Sequence, residues 1–127
     1  MTSKMGAALL LALMLPGAVV GAAPARAEAS GGDLFKHYCA VCHSTVAGEN
    51  KLGPSLAGIV GRPSATAPDF EYSDAMKNAH VTWNAATLEH YLTNPKSVVP
   101  GTKMMFMGIK STKEREALIH YLASLTP

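Results

Sequence analysis

The spacing of apolar residues predicts a helix at each end of the main part of the chain. After the flexible start at Ser30-Gly31-Gly32, four residues recur at helical spacing, and they predict a first helix that ends near the last of them: Leu34, Phe35, Tyr38 and Cys42. Ser111 and Glu114 have the spacing of a capping box. They open a last helix with apolar residues at i, i+3, i+4 and i+7, namely Leu118, Tyr121, Leu122 and Leu125.

Two shorter helices are predicted between these. Ser73 is placed to cap a short helix over 74–78, and Asn84 is placed to cap a second over 85–92, which Asn94-Pro95 ends. The stretches 44–70 and 98–108 show no sustained helical or strand period, and no internal repeat occurs. Loops of this length are uncommon in a compact domain unless they enclose something functional. The pattern predicts an all-α fold with helices bracketing two long loops.

The first 27 residues have the pattern of a cleaved secretory signal. Lys4 precedes an apolar run over 6–15, Pro16 interrupts it, and Ala25-Arg26-Ala27 supplies small residues before Glu28. The alternative is an uncleaved anchor, but about ten apolar residues fall short of the ~20 that span a bilayer. We therefore predict a signal peptide over 1–27, one domain over 28–127, and a periplasmic protein.

Length and charge limit the possible functions. The chain has 127 residues and a formal net charge of +2, with 11 basic and nine acidic residues. Removal of the signal takes away Lys4 and Arg26 and leaves nine of each. A neutral domain gives no support to nucleic-acid binding. The single Trp, four Tyr and three Phe are few for a core, which suggests that a cofactor, metal or disulfide helps fill it.

Both cysteines lie in Cys39-Ala40-Val41-Cys42-His43, the spacing of a c-type haem attachment site. Two thiols one helical turn apart can reach two vinyl groups on one porphyrin edge, and the adjacent His can bind the iron. Three alternatives are a thioredoxin-type redox pair, a zinc site and a structural disulfide. The first lacks a βαβ context, the second lacks a second pair of ligands, and the third would close only a small loop.

A haem electron carrier also needs a second axial ligand, and a Met thioether opposite His raises the reduction potential. Four methionines follow the signal: Met76, Met104, Met105 and Met107. A ligand from the second loop is favoured, because the first loop and the helices could then enclose the ring. Spacing alone does not choose among the three methionines of that loop.

A series of ordered motifs resembles class I cytochrome c, from about Gly31 to Leu125. After the haem motif these are Leu52-Gly53-Pro54-Ser55-Leu56-Ala57-Gly58, Gly61-Arg62, Tyr72-Ser73-Asp74-Ala75, Trp83, Tyr91-Leu92-Thr93-Asn94-Pro95-Lys96 and Pro100-Gly101-Thr102-Lys103-Met104. The resemblance is closest to mitochondrial-type and short bacterial carriers. It implies that the first and last helices pack together, and that shorter helices and long loops enclose one covalent haem c.

The resemblance also implies roles for single residues. Cys39 and Cys42 would form the thioether bonds, with His43 as proximal and Met104 as distal iron ligand. The carbonyl of Pro54 would accept the other ring N–H of His43. The remaining haem-binding residues fall on the distal side and around the propionates: Tyr91, Thr102 and Phe106, and Arg62, Tyr72, Ser73 and Trp83. Gly31, Phe35, Leu118 and Tyr121 match the contact between the terminal helices.

Two positions depart from the family pattern. Met76 stands where the family often has Asn, near the Tyr91 side of the haem, so we expect a drier pocket. Tyr38 stands where many relatives carry Lys before the first Cys, so one basic contact is missing.

We therefore predict a one-electron carrier and not an enzyme, because two filled axial positions leave no site for a substrate. The alternatives are a haem peroxidase or ligand-sensing protein with a labile Met104, which Phe106 and the lack of a distal His or Arg pair disfavour, and a thiol oxidoreductase.

The predicted partners of this monomer are redox proteins with acidic docking patches. By resemblance, five lysines surround the haem edge: Lys36, Lys51, Lys96, Lys103 and Lys110. The donor would be a cytochrome bc complex or a periplasmic dehydrogenase, and the acceptor a terminal oxidase or a photosynthetic reaction centre.

Overall fold

The computed structural model describes residues 1–2, 21 and 27–127. Over these residues it contains five helices: α1 Gly31–Tyr38, α2 Asp74–Lys77, α3 Ala85–Thr93, α4 Pro95–Val98 and α5 Thr112–Ala123. Within the same ranges, extended backbone pairs only in an isolated antiparallel bridge between Pro63 and Thr82. The predicted all-α fold is confirmed. The predicted signal falls almost wholly outside the described residues and stays a prediction. None of the described helices is long and apolar enough to cross a membrane.

The predicted helix starts are confirmed, because each depends on a local side-chain hydrogen bond. Ser73 accepts from the Met76 N–H at 3.1 Å, and Asn84 forms a full capping box with Thr87. At α5 only half of the predicted box forms. Ser111 accepts from the Glu114 N–H at 3.3 Å, but the Glu114 carboxylate accepts from the Tyr38 hydroxyl at 3.2 Å.

The helix ends differ from the prediction in two places. α1 ends at Tyr38 and not near Cys42, because the chain winds into a tighter turn over 39–42. In this turn the N–H groups of Cys42 and His43 both donate to the Cys39 carbonyl, at 3.0 and 2.8 Å. α4 was not predicted. Asn94-Pro95 ends α3 as expected, but Pro95 is also the first residue of α4, a position that tolerates the missing N–H of proline.

The terminal helices cross closely, as the family resemblance implies. A Cβ added at Gly31 would lie 2.3 Å from the Ala117 carbonyl oxygen, so only glycine allows this approach of the two backbones. The rings of Phe35 and Tyr121 lie 5.6 Å apart, and Leu118 is completely buried between them and the rest of the core. Because the turn over 39–42 directly follows α1, this packing determines the position of that turn.

Candidate functional site

The turn that follows α1 holds both cysteines in a partly buried position. Within the described residues both are free thiols. Burial raises the pKa of the Cys39 thiol to about 11, with a smaller contribution from Cys42. The two cysteines lie three residues apart in this turn, the spacing that attachment to one porphyrin edge requires.

The His43 ring is held in one orientation. Its Nδ1 lies 2.7 Å from the Pro54 carbonyl oxygen, and because a carbonyl only accepts, Nδ1 carries the proton. Burial lowers the pKa of His43 and so favours the neutral ring, while the Pro54 hydrogen bond acts in the opposite direction. The neutral tautomer leaves the Nε2 lone pair as the donor for a metal ion. The predicted role of the Pro54 carbonyl agrees with this geometry.

Gly53 belongs to the motif Leu52–Gly58, and the structure shows why this position needs glycine. A Cβ at this position would lie 2.4 Å from the His43 Cε1 and 2.7 Å from its Nδ1. The backbone thus passes directly against the imidazole. The signal in the sequence was a glycine next to the proline that holds the ring, and the expected close approach could have been inferred from it.

In the second long loop, the structure distinguishes Met104 from its neighbours. The Tyr91 hydroxyl donates to the Met104 Sδ at 3.3 Å, and the Met104 N–H donates to the Thr102 Oγ1 at 3.2 Å. Met104 is half-buried, whereas Met105 and Met107 are 90% and 88% exposed. Of the three methionines that spacing could not separate, only Met104 is held by neighbouring side chains and turned inward.

Burial raises the pKa of the Tyr91 hydroxyl, and its contact with Thr102 works in the opposite direction. The phenol therefore stays protonated and able to donate to sulfur. Phe106, also assigned to the haem site, is half-buried and packs edge-on against Tyr38 with ring centroids 6.1 Å apart. It connects the Met104 loop to the end of α1.

The predicted propionate-binding residues are partly engaged with the first long loop. The Arg62 guanidinium donates to the carbonyl oxygens of Ser55 and Ala57, both at 2.9 Å. Burial lowers the pKa of Arg62, and the neighbouring Tyr72 hydroxyl acts in the opposite direction. The Tyr72 oxygen accepts from the Ala67 N–H at 3.1 Å, which leaves its own proton free to donate.

The other two predicted propionate-binding residues come from the segments beside α2 and α3. Ser73 is the N-cap of α2, and its hydroxyl keeps a proton to donate. Trp83 is 6% exposed and packs on Tyr91 with ring centroids 4.8 Å apart. Its backbone N–H donates to the Arg62 carbonyl at 2.9 Å, so the fold brings Trp83 and Arg62 together.

The donor set fits a covalently attached haem. It consists of two thiols one turn apart, an imidazole with a free Nε2 lone pair, and a half-buried thioether held by a phenol. A four-ligand zinc site has no counterpart, since no group of three or more His, Cys, Asp or Glu side chains in the described part of the chain could hold a metal ion.

Comparison with known proteins decides the family. The family model described as Cytochrome c matches residues 28–126. The chain belongs to the cytochrome c family. It is 50% identical to cytochrome c of Chlamydomonas reinhardtii, over 82% of this chain and 94% of that protein. It is 49% identical to cytochrome c2 of Rhodoplanes tepidamans, over 79% and 94%. Cytochrome c type-1 of Ascaris suum is 48% identical, over 73% and 83%.

Membership of the cytochrome c family confirms the predicted cofactor. The chain carries one covalent c-type haem, attached through Cys39 and Cys42. The thioredoxin-type pair, the zinc site and the structural disulfide are thereby set aside as explanations of the Cys39–Cys42 spacing. The protein is a haem-based electron carrier.

Proposed function

We propose that the protein carries single electrons in the periplasm, with the haem iron bound by His43 and Met104. The observation that carries this proposal is that neighbouring groups already orient both candidate ligands. Pro54 holds the His43 ring at 2.7 Å, and Tyr91 holds the Met104 sulfur at 3.3 Å. A haem with both axial positions filled supplies a one-electron Fe(II)/Fe(III) couple.

The surrounding residues keep the site rigid between the two oxidation states. Pro54 fixes the His43 tautomer and increases the basicity of the ligating nitrogen. Tyr91, which is only 6% exposed, keeps the Met104 sulfur directed inward. Thr102 restrains the backbone of Met104 through its N–H. Because these contacts limit how far the two ligands move on electron transfer, the reorganisation energy of the site stays low.

Arg62, Tyr72, Ser73 and Trp83 would bind the two propionates. Carboxylates placed against an apolar wall are costly without donors and positive charge. Arg62 supplies the charge, and the hydroxyl protons of Tyr72 and Ser73 are available because both oxygens act as acceptors toward backbone N–H groups.

The Tyr91–Met104 contact also favours a carrier over the haem peroxidase or ligand-sensing alternative. Such a protein needs an open or weakly held axial position. A thioether that is half-buried and hydrogen-bonded is held in place before any iron binds it. The proposal is therefore that the protein is not an enzyme.

Three Met→Ala variants of the holoprotein test the ligand assignment. Met104→Ala should abolish the thioether-to-iron charge-transfer band of the ferric protein, give high-spin features, and lower the reduction potential. Met105→Ala and Met107→Ala are matched controls, since these residues lie one and three positions away but are exposed. Loss of the band in a control, or its survival in Met104→Ala, would overturn the assignment of Met104.

The proposed periplasmic location rests on the signal-like pattern of residues 1–27. N-terminal sequencing of the protein from a periplasmic extract should find Glu28 first. A mature protein that retains the apolar run 6–15 would contradict the cleaved signal.

The proposed partners are a cytochrome bc complex or periplasmic dehydrogenase as donor, and a terminal oxidase or photosynthetic reaction centre as acceptor. Acidic patches on them would meet the lysines near the haem edge. Lys51 is the best placed, because its ammonium donates to the Ala40 carbonyl at 2.9 Å, inside the haem-attachment turn. The Lys103 ammonium is directed elsewhere: it donates to the Glu71 carbonyl and lies 5.2 Å over the Phe70 ring.

Stopped-flow reduction by a partner complex tests this docking. The rate should fall as ionic strength rises, and Lys51→Gln should slow it more than Lys77→Gln. Lys77 is the matched control because it already pairs with Glu71 and Asp74. Rates that do not depend on ionic strength, or equal effects of the two variants, would count against electrostatic docking at this turn.

A further inference from the structure

An ion pair between α3 and α5 is the most buried charged contact of the described residues outside the haem site. The side chain of Arg115 on α5 is 9% exposed, and that of Glu89 on α3 is 32% exposed. One carboxylate oxygen of Glu89 accepts from the Arg115 Nε at 2.7 Å and forms an ion pair with its Nη2 at 2.6 Å. The other oxygen is buried without a hydrogen-bond partner in the described part of the chain.

The same guanidinium also holds the end of the loop that carries Met104. Its Nη1 donates to the carbonyl oxygens of Ile109 at 2.6 Å and Lys110 at 2.9 Å. Its Nη2 donates to the Thr112 Oγ1 at 3.1 Å, in the first turn of α5. Arg115 therefore joins three parts of the molecule: α3, the end of the loop, and the start of α5.

α3 binds this loop at two further points. The Ile109 N–H donates to the Leu92 carbonyl at 2.8 Å, and Ile109 is 2% exposed. Gly108 lies so close to α3 that an added Cβ would be 2.0 Å from the Thr93 carbonyl oxygen. The loop is thus attached to α3 by Tyr91 at Met104 and by these contacts four and five residues later.

We propose that Arg115 and Glu89 are positioning residues that keep Met104 in place, by locking the end of its loop against α3. The inference rests on the proposed ligation by Met104. Neither residue touches Met104. The effect passes through Ile109 and Lys110, whose carbonyl oxygens would lose their donors if the guanidinium moved.

The geometry requires arginine and a charged partner. A guanidinium presents five N–H donors in a planar fork, and here it reaches Glu89, two carbonyl oxygens and one hydroxyl at once. A lysine ammonium is a single point with three donors and cannot span these acceptors. Removal of the charge on Glu89 leaves the buried guanidinium uncompensated, which is strongly unfavourable.

Two variants of the holoprotein test the proposal. Arg115→Lys keeps the charge and removes the fork, and Glu89→Gln keeps the shape and removes the charge. Glu116→Gln is the control, since it makes the same charge change at an exposed position on α5. The first measurement is the limiting rate of imidazole binding to the ferric protein, which requires Met104 to leave the iron. We expect a rise of about tenfold or more in both variants, and no change in the control.

The second measurement is hydrogen exchange of the Ile109 amide, compared with the Leu118 amide in the middle of α5. Exchange at Ile109 should rise more than at Leu118 if the loop end is released locally. Equal increases at both amides, or an unchanged imidazole rate in both variants, would overturn the proposal and leave only a contribution to global stability. A wild-type ferric protein without the thioether-to-iron band would instead overturn the Met104 assignment itself, and the exchange experiment would still test the lock.

Discussion

Gly53→Ala should disturb the haem site by pushing His43, the proposed proximal ligand, out of position. The added Cβ would lie 2.4 Å from the ring Cε1 and 2.9 Å from Nε2, whereas ordinary contacts of this kind lie at 3.4–4 Å. The ring or the 53–54 backbone must therefore move by roughly 1 Å, since packed interiors have little free space. Either movement strains the 2.7 Å hydrogen bond between His43 and Pro54.

The expected cost follows from these two effects. Overpacking of this size costs about 1–3 kcal/mol, and a lost hydrogen bond costs about 0.5–1.5 kcal/mol. We expect the free energy of unfolding of the ferric holoprotein to fall by about 2–4 kcal/mol. The assay is guanidinium unfolding, followed by both haem absorbance and Trp83 fluorescence. The reduction potential should also shift, because the tautomer and basicity of His43, the proposed ligand, change.

Gly32→Ala is the matched control. Its Cβ would meet the Tyr121 ring at an ordinary 3.5 Å, and the position lies in α1, where alanine is favoured over glycine. If Gly53→Ala unfolds within about 0.5 kcal/mol of wild type at an unchanged potential, the close approach of backbone and imidazole is not part of the site. If the variant fails to mature, a pyridine haemochrome assay should show less covalent haem per chain than in the control.

Three further variants test single contacts. Tyr91→Phe removes the hydroxyl that donates to the Met104 sulfur, so the thioether-to-iron band of the ferric protein should be lost at a lower denaturant concentration than in wild type; an unchanged midpoint would contradict a role for this bond. Met76→Asn should shift the reduction potential and weaken the Met104 bond by admitting water to the distal side, and a variant with both unchanged would refute the drier pocket. Tyr38→Phe should lower unfolding stability by less than about 1 kcal/mol near pH 7. Burial and then Glu114 raise the pKa of Tyr38 above 10.0; the contribution of its protonated form is therefore present below pH 10 and disappears at higher pH, and a difference that is constant up to pH 12 would contradict this.

The starts of the helices could be predicted because the N-cap hydrogen bond that decides each start joins residues only three positions apart. Ser73, Asn84 and Ser111 each bind an N–H three positions ahead, and the residue types that do this are few. The same holds for the haem attachment, where two thiols and an imidazole lie within five consecutive residues. Features that depend on residues close together in the chain can therefore be predicted from the sequence.

Contacts between distant residues could not be predicted in this way. Met104, Met105 and Met107 are equivalent by spacing, and the choice depends on a hydroxyl 13 residues away on α3. Glu89 and Arg115 are separated by 26 residues, and each taken alone has the pattern of an exposed helix charge. The sequence predicts an end of α1 near Cys42, because Cys42 continues the apolar spacing. In the structure the backbone leaves the helix earlier and forms the turn that precedes His43.

These distant contacts make α3 the helix that positions the loop carrying Met104. Two residues of this helix hold the loop directly, and a third holds it through α5. Tyr91 holds the Met104 sulfur and Leu92 accepts from the Ile109 N–H. Glu89 pairs with Arg115 of α5, which donates to the Ile109 and Lys110 carbonyl oxygens. Tyr91 acts through its side chain and Leu92 through its main-chain carbonyl, so both the side chains and the backbone of the helix hold the loop. A loop held at these separate points cannot withdraw Met104 by one simple rotation. The sequence shows no helical or strand period over 98–108. The structure shows that contacts with the nine-residue helix α3 hold this stretch in place.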